Sequence, residues 1–541
     1  MSPALTAFGD DSLAQARWLD RAVWGFVAIG VTLRLARYAM DYPLWWDEAF
    51  VGVNLLRRGF LDLLRPLDYG QVCPPLFLWA ELAATRLLGF SEWTLRLFPL
   101  GCAVASVPLF AFAAGRVLTG VPRLAAVAVF AVSYHPIRHA ADVKPYASDL
   151  LVALVVLAVT LDGLRRPEPS RAGRLWLLAL FAPLALGLSH PSVFAVAGAV
   201  AVWGLVVWRD GGQGQRLAYA AYATSALASF LVVYLGFTRH QAAATLALMQ
   251  AQWHAGFPPS DSVMALFGWL VRVHTGDLFA YPCGGERGGS GLTTALVLLG
   301  ALTLWRTRRR SVLLACVAPY VLALAAAAIR RYPFGGVTDG SPARVVQYLV
   351  PAICLLAGAG CSVVLERVRD ARRRCRIGLA GLAVLAAIGV APLAAEARHP
   401  YRSYQAQRAR EFARRFWPEV SQGGVTPVCL RWDLGLPGWD SVNLNVAVYL
   451  CNQAIYAPHR HRWSGAPDRD RSVNAEGDPM RYILSLCDPA DPRVVSWLDG
   501  MRRSRRLASS RTVLLDTSEP GRPRRTERYV VYDFAARPVR R

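Results

Sequence analysis

The sequence predicts an all-α polytopic membrane protein of about eleven transmembrane helices, with outer-face amphipathic helices and a small C-terminal α/β domain. Three observations carry this. Hydrophobic residues make up 54% of the 541 and charged residues 18%. The apolar residues come in blocks such as "DLLVALVVLAVTL" and "IGLAGLAVLAAIGVAPLAA", apolar on every side, as a bilayer span of about 20 residues must be. The net charge of +23 sits in short loops between these blocks ("LRRPEPSRAGR", "WRTRRR", "RVRDARRRCR"), which is how membrane topology is encoded. That placement excludes nucleic acid as the partner of the basic residues.

Taken in order, the spans fall near 21–40, 95–117, 121–138, 147–164, 174–189, 191–208, 216–236, 291–305, 311–329, 344–364 and 377–395. The first lacks a small-residue cleavage site and reads as a signal anchor. Counting 74–90 ("PPLFLWAELAATRLLGF") as a span would put the basic loops outside. Read as an amphipathic outer-surface helix, with Glu81 and Arg86 toward water, it restores the positive-inside rule at every loop. The N-terminus is then cytoplasmic, and 41–94 and 238–290 are outer loops. Residues 1–395 form the membrane domain, and 396–541 form a soluble extracytoplasmic domain of a multi-pass inner-membrane protein. In that domain "RYILSLC", "RTVLLD" and "RYVVYDF" read as strands and "RVVSWLDGM" as a helix. One disulfide among Cys429, Cys451 and Cys487 fits an oxidising compartment, with its pairing open. Cys102, Cys316, Cys354, Cys361 and Cys375 lie in or beside spans as small apolar fillers.

With this threading the unusual polar motifs share one face, where ionisable groups beside lipid are expensive and mark a site. They are "WWDEAF" with Asp47 and Glu48, "SEWTLRLFP" with Arg96, "HAADVKPYASD" with His139, Asp142, Lys144, Tyr146 and Asp149, "SHP" with His190, and "ARVVQYLVP" with Arg344 and Tyr348. Among 60 Lys plus Arg, Lys144 is the sole lysine. A compact ammonium suits an anionic oxygen in a tight pocket better than a guanidinium fork does.

The ordered landmarks "WWDEAF", "PPLFLW", "GFSEWTLRLFP" and "HAADVKPYASD", with a looser R-x-x-x-Y-x-x-P at Arg344, Tyr348 and Pro351, resemble the glycosyltransferase C superfamily. The likeness is to its protein O-mannosyltransferase and lipid A aminoarabinose transferase group (family 39-like). The resemblance implies a membrane enzyme that transfers a sugar from a polyprenyl-phosphate donor to an acceptor at the outer face, with inversion. Several relatives carry a basic residue just before the paired prolines, where this chain has Cys73, which shifts phosphate binding toward Lys144 or Arg96. No D-x-E signature stands in the second outer turn, which favours single-sugar transfer.

On this reading Asp47 is the general base, with Glu48 assisting. Lys144, Arg96, Arg344 and Tyr146 compensate the leaving phosphate. Asp142, His139, His190 and Tyr348 support the site or bind acceptor. A divalent metal on Asp47 and Asp142 is an open option, and no cofactor is certain. The acceptor, whether protein, lipid or glycan, is not legible. Plainer readings stand beside these. Asp47 and Glu48 could cap a helix. Trp45 and Trp46 could belong to an interfacial belt, Arg96 could anchor a span, and the histidines could be span-end residues. Asp149 and Tyr348 could be interhelical hydrogen-bonding groups. Loop 238–290 could close as a lid. A transporter or flippase for lipid-linked sugars is the alternative function, although no repeated halves and no mid-membrane acids are seen.

Overall fold

The computed structural model describes residues 4–279, 281–282, 291–335, 344–366, 371–421, 427–431, 445–457, 462–464, 480–485, 488–516, 518 and 526–535. The chain divides into two compact units: Met1–Asp41, Arg58–Gly89 and Trp93–His399 in one, and Tyr42–Arg57, Phe90–Glu92 and Pro400–Arg541 in the other.

The first unit is a helical bundle. It opens with α1 (Ala4–Ala39); α2 (Trp46–Arg57) belongs to the second unit. There follow α3 (Pro75–Leu88), α4 (Glu92–Leu95), α5 (Leu97–Val117), α6 (Gly120–Val132), α7 (Tyr134–Arg138) and α8 (Tyr146–Arg165). Then come α9 (Glu168–Leu188), α10 (Ser192–Asp210), α11 (Gln213–Val233), α12 (Arg239–Gln252) and α13 (Val263–Arg272). The unit closes with α14 (Gly291–Arg306), α15 (Arg310–Ala328), α16 (Val350–Glu366) and α17 (Ala371–Arg398).

All eleven segments expected to span fall on helix. Among the described residues nine are long and apolar enough to cross a bilayer, and α6 with α7 adds a tenth as a pair bent by 43°. The eleventh, α14, has 16 residues, short for a hydrocarbon core about 30 Å thick. It packs on α16 through two glycines: a Cβ on Gly300 would strike the Leu356 carbonyl oxygen, and one on Gly360 that of Leu296.

The α3 segment is indeed a 14-residue helix outside the span set, with Arg86 exposed. Glu81, expected to face water, is instead fully buried. The reason is periodicity: Phe77, Leu78, Leu82 and Thr85 form the inward stripe of α3, and Glu81 lies on that stripe.

The second unit holds α2 together with α18 (Tyr404–Val420), α19 (Asn445–Tyr456), α20 (Pro492–Ser504) and a five-stranded sheet. The strands are β1 (Pro427–Arg431), β2 (Arg462–Ser464), β3 (Met480–Ser485), β4 (Arg506–Asp516) and β5 (Thr526–Ala535), in the order β2-β1-β3-β5-β4. Strand β1 runs parallel to β2 and β3, and β5 runs antiparallel to β3 and β4. The three strands and the helix expected from sequence are β3, β4, β5 and α20; β1 and β2 are too short to show a period. Alternation on β3 and β5 turns Met480, Tyr482, Leu484, Val530, Tyr532 and Phe534 onto one apolar face, which buries Val494 of α20. Phe412 and Phe416 of α18 pack on Tyr529, with ring centroids 4.9 and 5.2 Å away. The Cys451 thiol is free. Cys487 and the Cys429 side chain lie outside the described residues.

Candidate active site

In the first unit the polar groups gather around the head of α8. Pro145 caps that helix, because proline fixes φ and lacks the N–H a first turn leaves unpaired. Just before it, the Lys144 backbone N–H donates to the Asp142 carbonyl at 2.7 Å, and the Asp142 carboxylate meets His139 Nδ1 at 2.7 Å. Both side chains of that pair are buried. Lys144 is buried too, and its ammonium donates to the Gln71 carboxamide, on the segment leading to the paired prolines. The Tyr146 ring contacts the His139 ring edge-on at 5.3 Å. Arg344, buried at the start of a 3-10 helix (Arg344–Leu349), sits 5.8 Å from the Tyr146 centroid and 5.4 Å from that of Trp253. Aromatic faces attract a cation without neutralising it.

His190, in the turn between α9 and α10, hydrogen-bonds the Cys73 backbone. Burial pushes its pKa down to about 4, against the opposing effect of that bond. Its neighbour Ser189 bonds the Asp149 carboxyl. The other Asp149 oxygen and the Tyr348 hydroxyl are buried with no hydrogen-bond partner among the described residues. The Tyr348 ring stacks on Phe194 at 6.0 Å. A narrow apolar cleft of about 20 Å³ beside it is lined by Ala153, Ala195, Ala199, Ala315, Ala352 and Tyr348.

Contacts thus join Lys144, Tyr146, Arg344, His139 and Asp142 into one cluster, with His190 and Tyr348 on adjoining elements. Arg96 is placed elsewhere, buried at the head of α5 within electrostatic reach of Tyr38. Gln71, Trp253, Ser189 and the role of Asp149 were not predicted. The only available signal was Asp149's place one helical turn after Tyr146. Among the described residues no three His, Cys, Asp or Glu side chains converge as a metal site would require.

In the second unit Asp47 and Glu48 occupy the first turn of α2, both buried. Glu48 Oε2 accepts from the Trp45 backbone N–H at 3.4 Å, half of a capping box, so Glu48 does cap its helix. Trp45 is buried beneath the Arg402 guanidinium, 5.1 Å from its ring, and not in a belt. Trp46 is half-buried and meets Trp45 edge-on at 4.9 Å. The Cys451 thiol of α19 donates to the Ala49 carbonyl of α2 at 3.7 Å, and Tyr456 Oη donates to Glu92 at 2.6 Å.

The chain belongs to the family of unknown function DUF6541, whose sequence profile matches residues 93–428. No curated protein matches it. Among solved structures it resembles ArnT from Cupriavidus metallidurans in the apo state, with a TM-score of 0.52 at 15% identity over 94% of this chain and 97% of that one. Against the same protein bound to undecaprenyl phosphate the TM-score is 0.53 at 16% identity, with the same coverage. An Archaeoglobus fulgidus oligosaccharyltransferase follows at 0.48 and 11%, over 86% of this chain and 68% of that one. The chain therefore shares the polytopic membrane fold of ArnT.

Proposed function

We propose that the chain is a membrane glycosyltransferase that moves one sugar from a polyprenyl-phosphate carrier to an acceptor at the outer membrane face, with inversion. The observation that carries this reading is the buried pair of cations at the head of α8. Lys144 rests on a neutral carboxamide and Arg344 on two aromatic rings. Buried cations at the head of a helix suit a phosphate whose charge grows as the glycosidic bond breaks. Undecaprenyl phosphate is the ligand named for one ArnT structure.

In the proposed step the acceptor hydroxyl gives its proton to the Asp47 carboxylate. Its oxygen forms the new bond to the anomeric carbon, and polyprenyl phosphate leaves with the electron pair of the broken C–O bond. Glu48 positions Asp47 by fixing the first turn of α2. Tyr146 supports the phosphate through its hydroxyl and by holding Arg344. Asp142 and His139 brace the turn that carries Lys144, and His190 and Tyr348 line its surroundings. The transporter reading gains no support, since the two acids of α8 lie in its first and last turns.

The test is turnover of a panel of polyprenyl-phosphate sugars by purified protein, wild type against Asp47→Asn. The expected outcome is a loss of about 10²–10⁴-fold with undecaprenyl-phosphate binding retained. Undiminished turnover would remove Asp47 as base, and no turnover by wild type would count against the transferase. A reporter fused to the C-terminus should be active only outside the cytoplasm.

A further inference from the structure

In the first unit α6 ends at Val132, and the chain bends by 43° into the segment that begins with α7. Helix α7 has five residues, little more than one turn. A helix that short does not hold itself, because its first turn fixes several dihedrals for a single hydrogen bond. Its direction is therefore set by its neighbours. That direction matters, since α7 leads straight into the turn of His139, Asp142 and Lys144.

Both ends of α7 are tied to one carboxylate in the last turn of α17. The Tyr134 hydroxyl donates to Glu396 Oε1 at 2.6 Å, and Arg37 Nη1 of α1 donates to Glu396 Oε2 at 3.1 Å. Arg37 Nε also donates to the Arg138 carbonyl at 3.3 Å, and Arg138 Nη1 donates back to the Tyr134 hydroxyl at 3.5 Å. The Tyr134 backbone N–H donates to the Pro282 carbonyl at 3.0 Å. Hydrogen bonds to ionised groups are the strong ones, and the Arg37 side chain is buried, which limits screening by solvent. From Arg138 the chain passes to His139, whose ring holds the Asp142 carboxylate, and the Asp142 carbonyl receives the Lys144 N–H. A clamp between α1 and α17 would need only Arg37 and Glu396. The Tyr134 hydroxyl and the Arg138 carbonyl bring α7 into the same knot.

We propose that Glu396 is a positioning residue for Lys144: by gripping Tyr134 and Arg37 it sets the direction of α7 and so the place of the ammonium. Its consequence for catalysis rests on the transferase reading above; the positioning itself does not. An ammonium stabilises a departing phosphate only where it is held in advance at the oxygen that gains charge. A swing of α7 moves the Lys144 turn with it, and a displacement of about 1 Å is enough to cost about 100-fold in rate.

The experiment compares the full chain in nanodiscs with Glu396→Gln, which keeps the length of the side chain and removes its charge. Because Lys144 is the sole lysine, methylation with isotope-labelled formaldehyde marks only it and the terminal amine, and Lys144→Gln assigns the two NMR signals. In Glu396→Gln the Lys144 signal should move. Turnover of a polyprenyl-phosphate sugar per folded molecule should fall by about 10–100-fold in kcat/KM. That loss should vanish in the Lys144→Gln background, because a residue that acts through Lys144 has nothing left to place. A clamp that serves stability alone would leave the signal where it is and cost the same factor in both backgrounds. Tyr134→Phe removes one hydroxyl and should give the same pattern at smaller size, which keeps the test open should Glu396→Gln misfold. An unmoved Lys144 signal, or losses that multiply across the two backgrounds, would overturn the proposal. A moved signal in a protein that turns over no donor would sustain the positioning and remove the transferase reading.

Discussion

Helix α8 carries one carboxylate in its first turn and one in its last, and their surroundings differ in kind. Asp162 is gripped by Arg116 at 3.0 Å, Arg166 at 2.8 Å and Arg174 at 2.7 Å. Around it Arg165 and Arg309 donate to the Gly115 and Val117 carbonyls, which close the end of α5. Asp149 has a serine hydroxyl, a tyrosine-rich setting, and one oxygen without a partner among the described residues. Three guanidiniums around one carboxylate serve to close loops and to hold positive charge at that end of the bundle. At the other end, Asp149 and Tyr348 bury polar atoms that have no partner among the described residues, on the two elements headed by Lys144 and Arg344. The first arrangement is architecture, and the second is the one a ligand could complete.

Substitutions can break this contrast. The largest expected effect is at Lys144: Lys144→Gln should lower kcat/KM for a polyprenyl-phosphate sugar by about 10²–10³-fold, as loss of a transition-state charge donor does. Arg174→Gln, at the other end, should stay within about twofold. Equal losses would mean that the two ends do not differ in role.

Next is Asp162→Leu, which leaves three guanidiniums facing one another. With those side chains 31–39% exposed, solvent screens part of the cost. Thermal unfolding should report a loss of about 1–3 kcal/mol, with turnover per folded molecule unchanged. A wild-type melting temperature would show the cluster to be ornamental.

The smallest effect concerns pH. His190 is neutral in the fold, with its pKa pushed down from 6.5 to about 4 by burial. Since the unfolded chain takes up the proton first, stability is full above about 6.5 and declines as pH falls toward 4. His190 holds the segment that presents Gln71 to Lys144, so activity per folded molecule should fall only as pH approaches about 4, where the folded imidazole itself takes up a proton. His190→Gln should flatten both acid slopes, and an unchanged slope would assign them to other groups.

Much of this was legible in the residues. Apolar blocks of span length have one stable solution in lipid, and all eleven are helices. The one lysine among 60 cations marked the centre of the first-unit cluster. The inward turn of Glu81 was missed because its charge was weighed above the stripe it stands on. The buried state of Trp45 was missed because belt and core use the same residue. Asp149 was seen only as an interhelical group, since a carboxylate's meaning depends on what fails to meet it.

By itself the sequence determined that the apolar blocks are helices, where the basic loops fall, and three of the five strands of the sheet. These follow from local composition and period, which act within about 20 residues. Tertiary structure alone decided that α2 joins α18 and α19 in one unit, that Gln71 reaches Lys144, and that Arg344 lies against Tyr146. Each of these brings together residues from distant parts of the chain. Such arrangements arise from packing, and no local pattern encodes them.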